Sequence, residues 1–183
     1  MAGFRSITPN INVNTESGQL RTELLNTFTR LDGQLSLAPF RIGTDSGPIG
    51  NTGSAETTLS STTISIGTLA KTNSSILIFA CGKSAANANA KTLKLKFGST
   101  ELFTTGAQAF NAVDWTLNAE LVRTSATTQV CWIQFFATST LTQKVTVTNS
   151  SVSLGVNQTL TITGQSTATD DISLYYWKNI LLT

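Results

Sequence analysis

The sequence predicts a mainly β protein, an antiparallel sandwich or barrel led by a short α-helix and an extended arm. Three observations carry that expectation. From residue 57 onward about nine short segments alternate apolar with polar residues or run apolar throughout, with polar turns at near-regular spacing. No helical periodicity follows residue 38. Before it, "ESGQLRTELLNTFTRLDGQL" (16–35) sets Leu20, Leu24, Leu25, Phe28, Leu31 and Leu35 on an amphipathic helical pattern that Pro39 closes off.

In chain order, residues 1–14 read as an extended arm with Phe4, Ile7, Ile11 and Val13 as its apolar points. Ile11 and Val13 alternate with Asn10, Asn12 and Asn14, as in a strand. Asn14 or Thr15 can cap the helix of residues 15–38, and Glu16 suits the positive end of its dipole. Leu24, Phe28, Leu31 and Leu35, spaced four, three and four apart, form a coiled-coil seam of under two heptads. Gly18 and Gly33 weaken it by about 1 kcal/mol each relative to Ala. A helix this short needs a partner, either copies of itself or a larger surface. The Gly-rich stretch 39–56, "RIGTDSGPIGNTGSAE" at its centre, reads as a linker.

The β domain is expected over 57–183. "TTLSSTTISIGTL" and "SSILIFACG" open it. "KTLKLKFG" alternates cleanly, with Leu93, Leu95 and Phe97 on one face and Lys94 and Lys96 on the other. Gly98 and Ser99 then turn the chain into a short strand at 101–104, a hairpin signal. "DWTLNAELVRT" puts Trp115, Leu117, Ala119 and Leu121 on one face, and "TQVCWIQFFAT", "TQKVTVTNS", "QTLTITGQ" and "DISLYYWKNILL" complete the set.

Three of these strands are apolar on both faces. In "QVCWIQFF" one face carries Val130, Trp132 and Phe136 and the other Cys131, Ile133 and Phe135. "SILIFAC" behaves alike, and the last strand sets Ile172, Leu174, Tyr176 and Ile180 against Tyr175, Trp177 and Leu181. A two-layer sandwich buries one face of each sheet, so these strands need a second cover. Either a neighbouring subunit supplies it, with Cys131, Ile133, Phe135, Tyr175 and Trp177 as inter-subunit contacts, or loops and residues 1–50 of the same chain do.

Chemistry is thin. Only 12% of residues are charged, about half the usual share. The net charge of +2 and the scattered Lys and Arg give no footprint for nucleic acid, and no apolar run is long enough for a membrane span. The N-terminus lacks a signal-peptide pattern, which suggests synthesis and folding in a cytoplasm. With no histidine, Ser-His-Asp and Cys-His sites and His-based zinc sites are excluded. Cys81 and Cys131 read as buried reduced thiols, with a disulfide left open. "CGKSA" (81–85) contains Gly-Lys-Ser, but a phosphate loop needs a glycine where Leu77 stands. Spacing leaves a carboxylate pair among Glu101, Asp114 and Glu120 open, yet Trp115 and Trp132 read as core and not as sugar platforms. Asp170 and Asp171 read as a turn, and Lys91, Lys94 and Lys96 as a solvated face. No catalytic constellation assembles, so neither an enzyme nor a cofactor or metal is expected.

The block "NAKTLKLKFGSTELFTTGAQAFNAVDWTLNAELVRTSATTQVCWIQFF" resembles the jelly-roll domains of tailed-bacteriophage virion proteins: head fibres, capsid decoration proteins and tail-fibre tips. The likeness rests on Leu93 to Gly98, Asp114 to Thr124 and Val130 to Phe136, and extends in general pattern over 57–183. It implies a jelly-roll-like sandwich in a homotrimer on the virion surface. The N-terminal segment would attach it, with Phe4, Ile7, Ile11 and Val13 against the major capsid protein and Leu20, Leu24, Phe28, Leu31 and Leu35 at the trimer or docking contact. No long shaft or repeat is present, which favours capsid decoration over a tail fibre. The alternative is a tail-fibre or receptor-binding module reading host glycans through loops 84–90 and 106–114, with Phe110 as a sugar shelf or as a loop residue packed on the core.

Overall fold

The computed structural model describes residues 40–138 and 142–182. The expected arm and helix, with Phe4, Ile7, Ile11, Val13, Leu20, Leu24, Phe28, Leu31 and Leu35, lie outside the described residues. Ten strands follow one another: β1 (Phe40–Thr52), β2 (Thr57–Ile64), β3 (Ser75–Ser84), β4 (Thr92–Phe97), β5 (Thr100–Thr104), β6 (Asp114–Arg123), β7 (Gln129–Ala137), β8 (Thr142–Ser150), β9 (Gln158–Gln165) and β10 (Thr169–Leu182). They form two antiparallel sheets packed as a sandwich, one of six strands in the order β1-β10-β3-β6-β7-β8 and one of four in the order β2-β9-β4-β5.

β2 to β10 are the nine strands the periodicity predicts. β1 corrects the linker reading of 39–56, and the domain begins at Phe40. A segment with this much Gly and Pro pairs because it is an edge strand. β1 has β10 alone as neighbour, and its ladder shifts register three times, at Arg41/Gly43, Ser46/Ile49 and Gly50/Thr52. Pro48 falls inside the second shift, beside Gly47 with its φ of 110°, where a missing N–H costs no ladder bond. The β4–β5 hairpin closes as expected. Phe97 pairs with Thr100, and Gly98 takes the positive φ of 57° that a two-residue hairpin turn requires.

The core lies between the sheets. Leu59 and Ile64 of β2, Leu93, Leu95 and Phe97 of β4, and Leu160 and Ile162 of β9 meet the inner face of the larger sheet. That face carries Ile76, Ile78 and Ala80 of β3, Trp115, Leu117, Ala119 and Leu121 of β6, and Cys131, Ile133 and Phe135 of β7. Trp177 is fully buried and donates its indole N–H to Thr62 Oγ1 on β2 at 3.0 Å, while Asn179 Nδ2 donates to the same oxygen at 2.8 Å. These bonds tie the sheets together and give a buried tryptophan the acceptor it needs.

One end of the sandwich is held by charge. Lys91 is fully buried. Its ammonium donates to Asn87 O (3.1 Å), Asn87 Oδ1 (2.8 Å) and Asn89 O (3.1 Å). The side-chain amides of the same two asparagines donate to buried Asp171, at 2.5 and 2.8 Å, and Ser166 Oγ and Ala168 N add bonds of 2.7 and 3.1 Å. Desolvation alone would raise the Asp171 pKa. The bonds from Asn87, Ser166, Asn89 and the Ala168 amide outweigh it and hold the carboxyl well below the usual range. For Lys91, burial lowers the pKa against the opposing pull of the Asp171 charge. Loop 85–91 is therefore fixed by two buried charges of opposite sign bridged by Asn87 and Asn89.

The direction of the Asp171 shift sets a pH dependence. A carboxyl with a depressed folded pKa contributes stability that is complete above its unfolded pKa, about 3.9, and is lost as pH falls below it. Asp171→Asn is expected to cost on the order of 2 kcal/mol at pH 7. It should flatten the fall in stability below about pH 4, measured by urea unfolding across pH. Wild type and variant losing stability in parallel would show that Asp171 is not the group responsible.

Candidate functional site

The outer faces of the two sheets differ. On the four-stranded sheet, Thr58, Ser61 and Thr63 of β2 and Thr159 of β9 are exposed beside a charge cluster. There Lys94 pairs with Glu56 and Glu101 at 3.2 Å each, and Lys96 pairs with Glu56. Those bonds raise the Lys94 pKa, Glu101 contributing most and Glu56 next. For Glu56 the lysines outweigh desolvation and lower it. The surface is an ordinary solvated one, as the alternation of β4 predicts.

The outer face of the six-stranded sheet carries large apolar side chains on both sides of a polar strand, β6, and register stacks them in rows. Ile180, Leu77, Glu120, Trp132 and Val147 make one row across β10, β3, β6, β7 and β8. Lys178, Phe79, Asn118, Gln134 and Val145 make the next, and Tyr176, Cys81, Thr116 and Phe136 the third. Val147 is 65% exposed, Val145 53% and Trp132 43%, with Leu77, Phe79 and Phe136 each above a third. Single exposed apolar residues are ordinary, but six large ones on one face are more than the other sheet shows. Short Asn118 on β6 leaves a groove of about 460 Å³ between Leu77 and Phe79 on one side and Trp132 on the other. The Phe79 and Tyr176 rings meet edge-on at 5.9 Å beside it, and Glu120 accepts a 2.8 Å bond from Ser75 Oγ.

This reverses the faces expected from sequence. Cys131, Ile133 and Phe135 are core residues, so the outward residues of β7 are Trp132, Gln134 and Phe136, and Trp132 is not core. One-sided β6 sets the parity. Its inward Leu121, Ala119 and Leu117 pair with Cys131, Ile133 and Phe135, and paired residues share a face. On β10, Trp177 is buried and Tyr175 is 46% exposed although they stand two apart. A register shift between Leu174 and Tyr176 breaks the alternation there. Sequence reasoning missed Val145 and Val147, whose "KVTVT" pattern is that of a strand with an inner face. The usable signal was one-sided β6, from which the parity of the neighbouring strands follows.

The remaining candidates are dispersed. Glu101 and Glu120 stand on different sheets. Asp114 and Glu120 are six residues apart on β6, roughly 20 Å. Phe110 is buried against Phe135, at 5.9 Å between ring centroids. No His/Cys/Asp/Glu group suited to a metal occurs among the described residues. Cys81 and Cys131 are both free thiols and point to opposite faces of the sheet. Burial, helped by the Glu120 charge, pushes Cys131 up to about 12, and burial also raises Cys81. Comparison with models of known protein families and with curated proteins finds no match.

Thiol labelling checks this assignment of faces. In the native protein a maleimide should reach half-buried Cys81 slowly and leave Cys131 untouched, because the thiolate is the reacting form. Mass spectrometry of labelled peptides reads the result. Labelling of Cys131 before unfolding would place β7 the other way round.

Proposed function

We propose that this protein is a trimeric structural protein of a tailed-phage virion, a capsid decoration protein whose jelly-roll domains pack through the outer face of the six-stranded sheet. The observation that carries the reading is the set of registered apolar rows on that face, beside a four-stranded sheet with an ordinary polar exterior. Strand order supports the jelly roll. With the β7–β8 hairpin set aside, β1-β10-β3-β6 and β2-β9-β4-β5 is the order made by folding one antiparallel ribbon that pairs β1 with β10, β2 with β9, β3 with β6 and β4 with β5.

Magnitudes bear on how such a trimer would hold. Leu77, Phe79, Trp132, Phe136, Val145 and Val147 retain 36% to 65% of their exposure. Covering each gains about 1 kcal/mol, or roughly 6 kcal/mol per face. Association itself costs roughly 4–15 kcal/mol, so the face alone gives a weak oligomer. The helical seam of Leu24, Phe28, Leu31 and Leu35 would supply the rest, and the arm with Phe4, Ile7, Ile11 and Val13 would bind the shell. Function is then mechanical: a trimer bridging capsomers adds buried interface that opposes expansion of the shell.

Light scattering on the purified chain is expected to give three times its 19.4 kDa mass. Trp132→Asp with Val147→Asp should shift the equilibrium to monomers of unchanged fold, since both side chains face outward. A chain lacking residues 1–38 should keep the β domain and lose binding to undecorated heads. Counting copies per virion by quantitative mass spectrometry tests the placement, because shells offer on the order of hundreds of equivalent positions and tail ends tens or fewer. A monomeric wild type, or a count in the tens, would refute the decoration reading.

A further inference from the structure

Four strands end the two sheets, β1 and β8 the larger one and β2 and β5 the smaller. The open side of an end strand presents N–H and C=O groups at every second residue and can template another chain, unless bulges, proline or charge interrupt it. Three of the four are interrupted. The β1 ladder shifts three times and contains Pro48, the β2 ladder shifts between Thr58 and Ser60, and the β4–β5 ladder shifts between Leu95 and Lys96. β8 is not. Its residues pair one to one with β7, from Thr142 opposite Ala137 to Ser150 opposite Gln129, with no shift, and they include neither glycine nor proline.

The sequence of this strand also fits itself. "TQKVTVTNS" (142–150) has nearly the same chemistry read in either direction from Thr146. Laid antiparallel on a second copy, with the two Thr146 residues opposite each other, it sets Val145 against Val147. Thr142 then meets Ser150, hydroxyl residue against hydroxyl residue, and Gln143 meets Asn149, amide against amide. Lys144 is the one charged residue of the strand, and it falls opposite Thr148 and not opposite its own copy, so no like charges are paired. The faces match as well. Val145 and Val147 are outward and more than half exposed, while Thr146, paired with the core residue Ile133, is on the inner side and half-buried. Odd residues meet odd ones in this register, so the outer row that ends at Val147 continues into Val145 of the copy.

We propose that β8 pairs with β8 of a second copy across a twofold axis at Thr146, joining two six-stranded sheets edge to edge. Backbone hydrogen bonds supply the attraction, as wherever a strand is added to an open sheet, and the near-palindrome selects the partner and the register. Each chain has a single β8, so the contact closes at two copies. A lone strand pair buries less than the roughly 1,200 Å² of stable complexes. The contact is therefore weak in dilute solution and takes effect where copies are concentrated or held side by side. It uses the edge of the sheet and not its outer face, so it stands whether the smaller species is a monomer or a trimer.

The test is disulfide trapping in the full-length chain, oxidised with diamide at high protein concentration and run on denaturing gels without reductant. Thr146→Cys is expected to give a linked dimer, because the residue faces its own copy. Thr148→Cys should give none, since its two copies stand four residues out of register, roughly 13 Å apart, and wild type, with Cys81 and Cys131, serves as the blank. In sedimentation velocity the wild-type mass should rise at least twofold with concentration, relative to whatever species is present when dilute. Thr146→Lys, which sets two ammonium groups against each other at the axis, should abolish that rise with circular dichroism unchanged. Three results would overturn the proposal: equal trapping at 146 and 148, a wild-type mass independent of concentration, or a rise in mass that Thr146→Lys leaves intact.

Discussion

The larger sheet has six strands and bears large apolar side chains on both faces, and the sheet packed on it has four. This mismatch governs the domain. Strands β3, β7 and β10 bury one face each against the smaller sheet, through Ile76, Ile133 and Trp177 among others, and among the described residues no second layer lies over the other face. A sandwich satisfied within itself alternates apolar with polar along every strand, as β4 and β6 do. Where both parities are apolar, as on β3 and β7, Leu77, Phe79, Trp132 and Phe136 stay partly exposed on the outer face. The polar exterior of the other sheet, with its Glu56, Lys94, Lys96 and Glu101 cluster, shows that one surface is set apart from the rest of the molecule.

The two buried charges among the described residues lie at one end. The Lys91 and Asp171 charges, separated by Asn87 and Asn89, hold a loop that contains no large apolar side chain. In a loop of alanine and asparagine, hydrophobic burial has little to act on, so hydrogen bonds to buried charges fix the conformation. The same end of the domain bonds Ala85 to Ala112 and to Asp171 through the backbone. Loop order here follows from electrostatics, whereas strand order follows from apolar packing.

Much of this was legible in the residues. Clean period-two strands were read correctly down to the side chain: Leu93, Leu95 and Phe97 inward, Lys94 and Lys96 outward, and Trp115 to Leu121 on the core side. The doubled apolar character of β7 was visible too, but which face meets the core was not, because both parities satisfy the pattern. Only pairing with β6 resolves it. Bulges defeat periodicity in the same way, and Tyr175 and Trp177 were placed together because no residue type announces the register shift between them. β1 escaped notice because Gly47, Pro48 and Gly50 are loop residues by propensity, and a neighbouring strand overrides propensity at an edge. Of the loops singled out from sequence, the one at 106–114 carries Phe110 packed on the core, because an aromatic in a short polar loop finds its burial against Phe135.

The antiparallel pairing of β1 with β10 sets Phe40 opposite Leu181, so the chain enters the domain beside the place where β10 ends. For a domain under tension this matters more than its overall stability. A pull between residues 40 and 182 opens the β1–β10 ladder one pair at a time, like a zipper, and needs little force. A pull that enters at Phe40 and leaves at the other end of the ladder, at Thr169 opposite Thr52, loads all nine registered pairs together along the strand. The same hydrogen bonds then resist in parallel. A domain held by the chain before Phe40 and braced at the end of the sheet where Thr52 meets Thr169 would be loaded in its stronger direction.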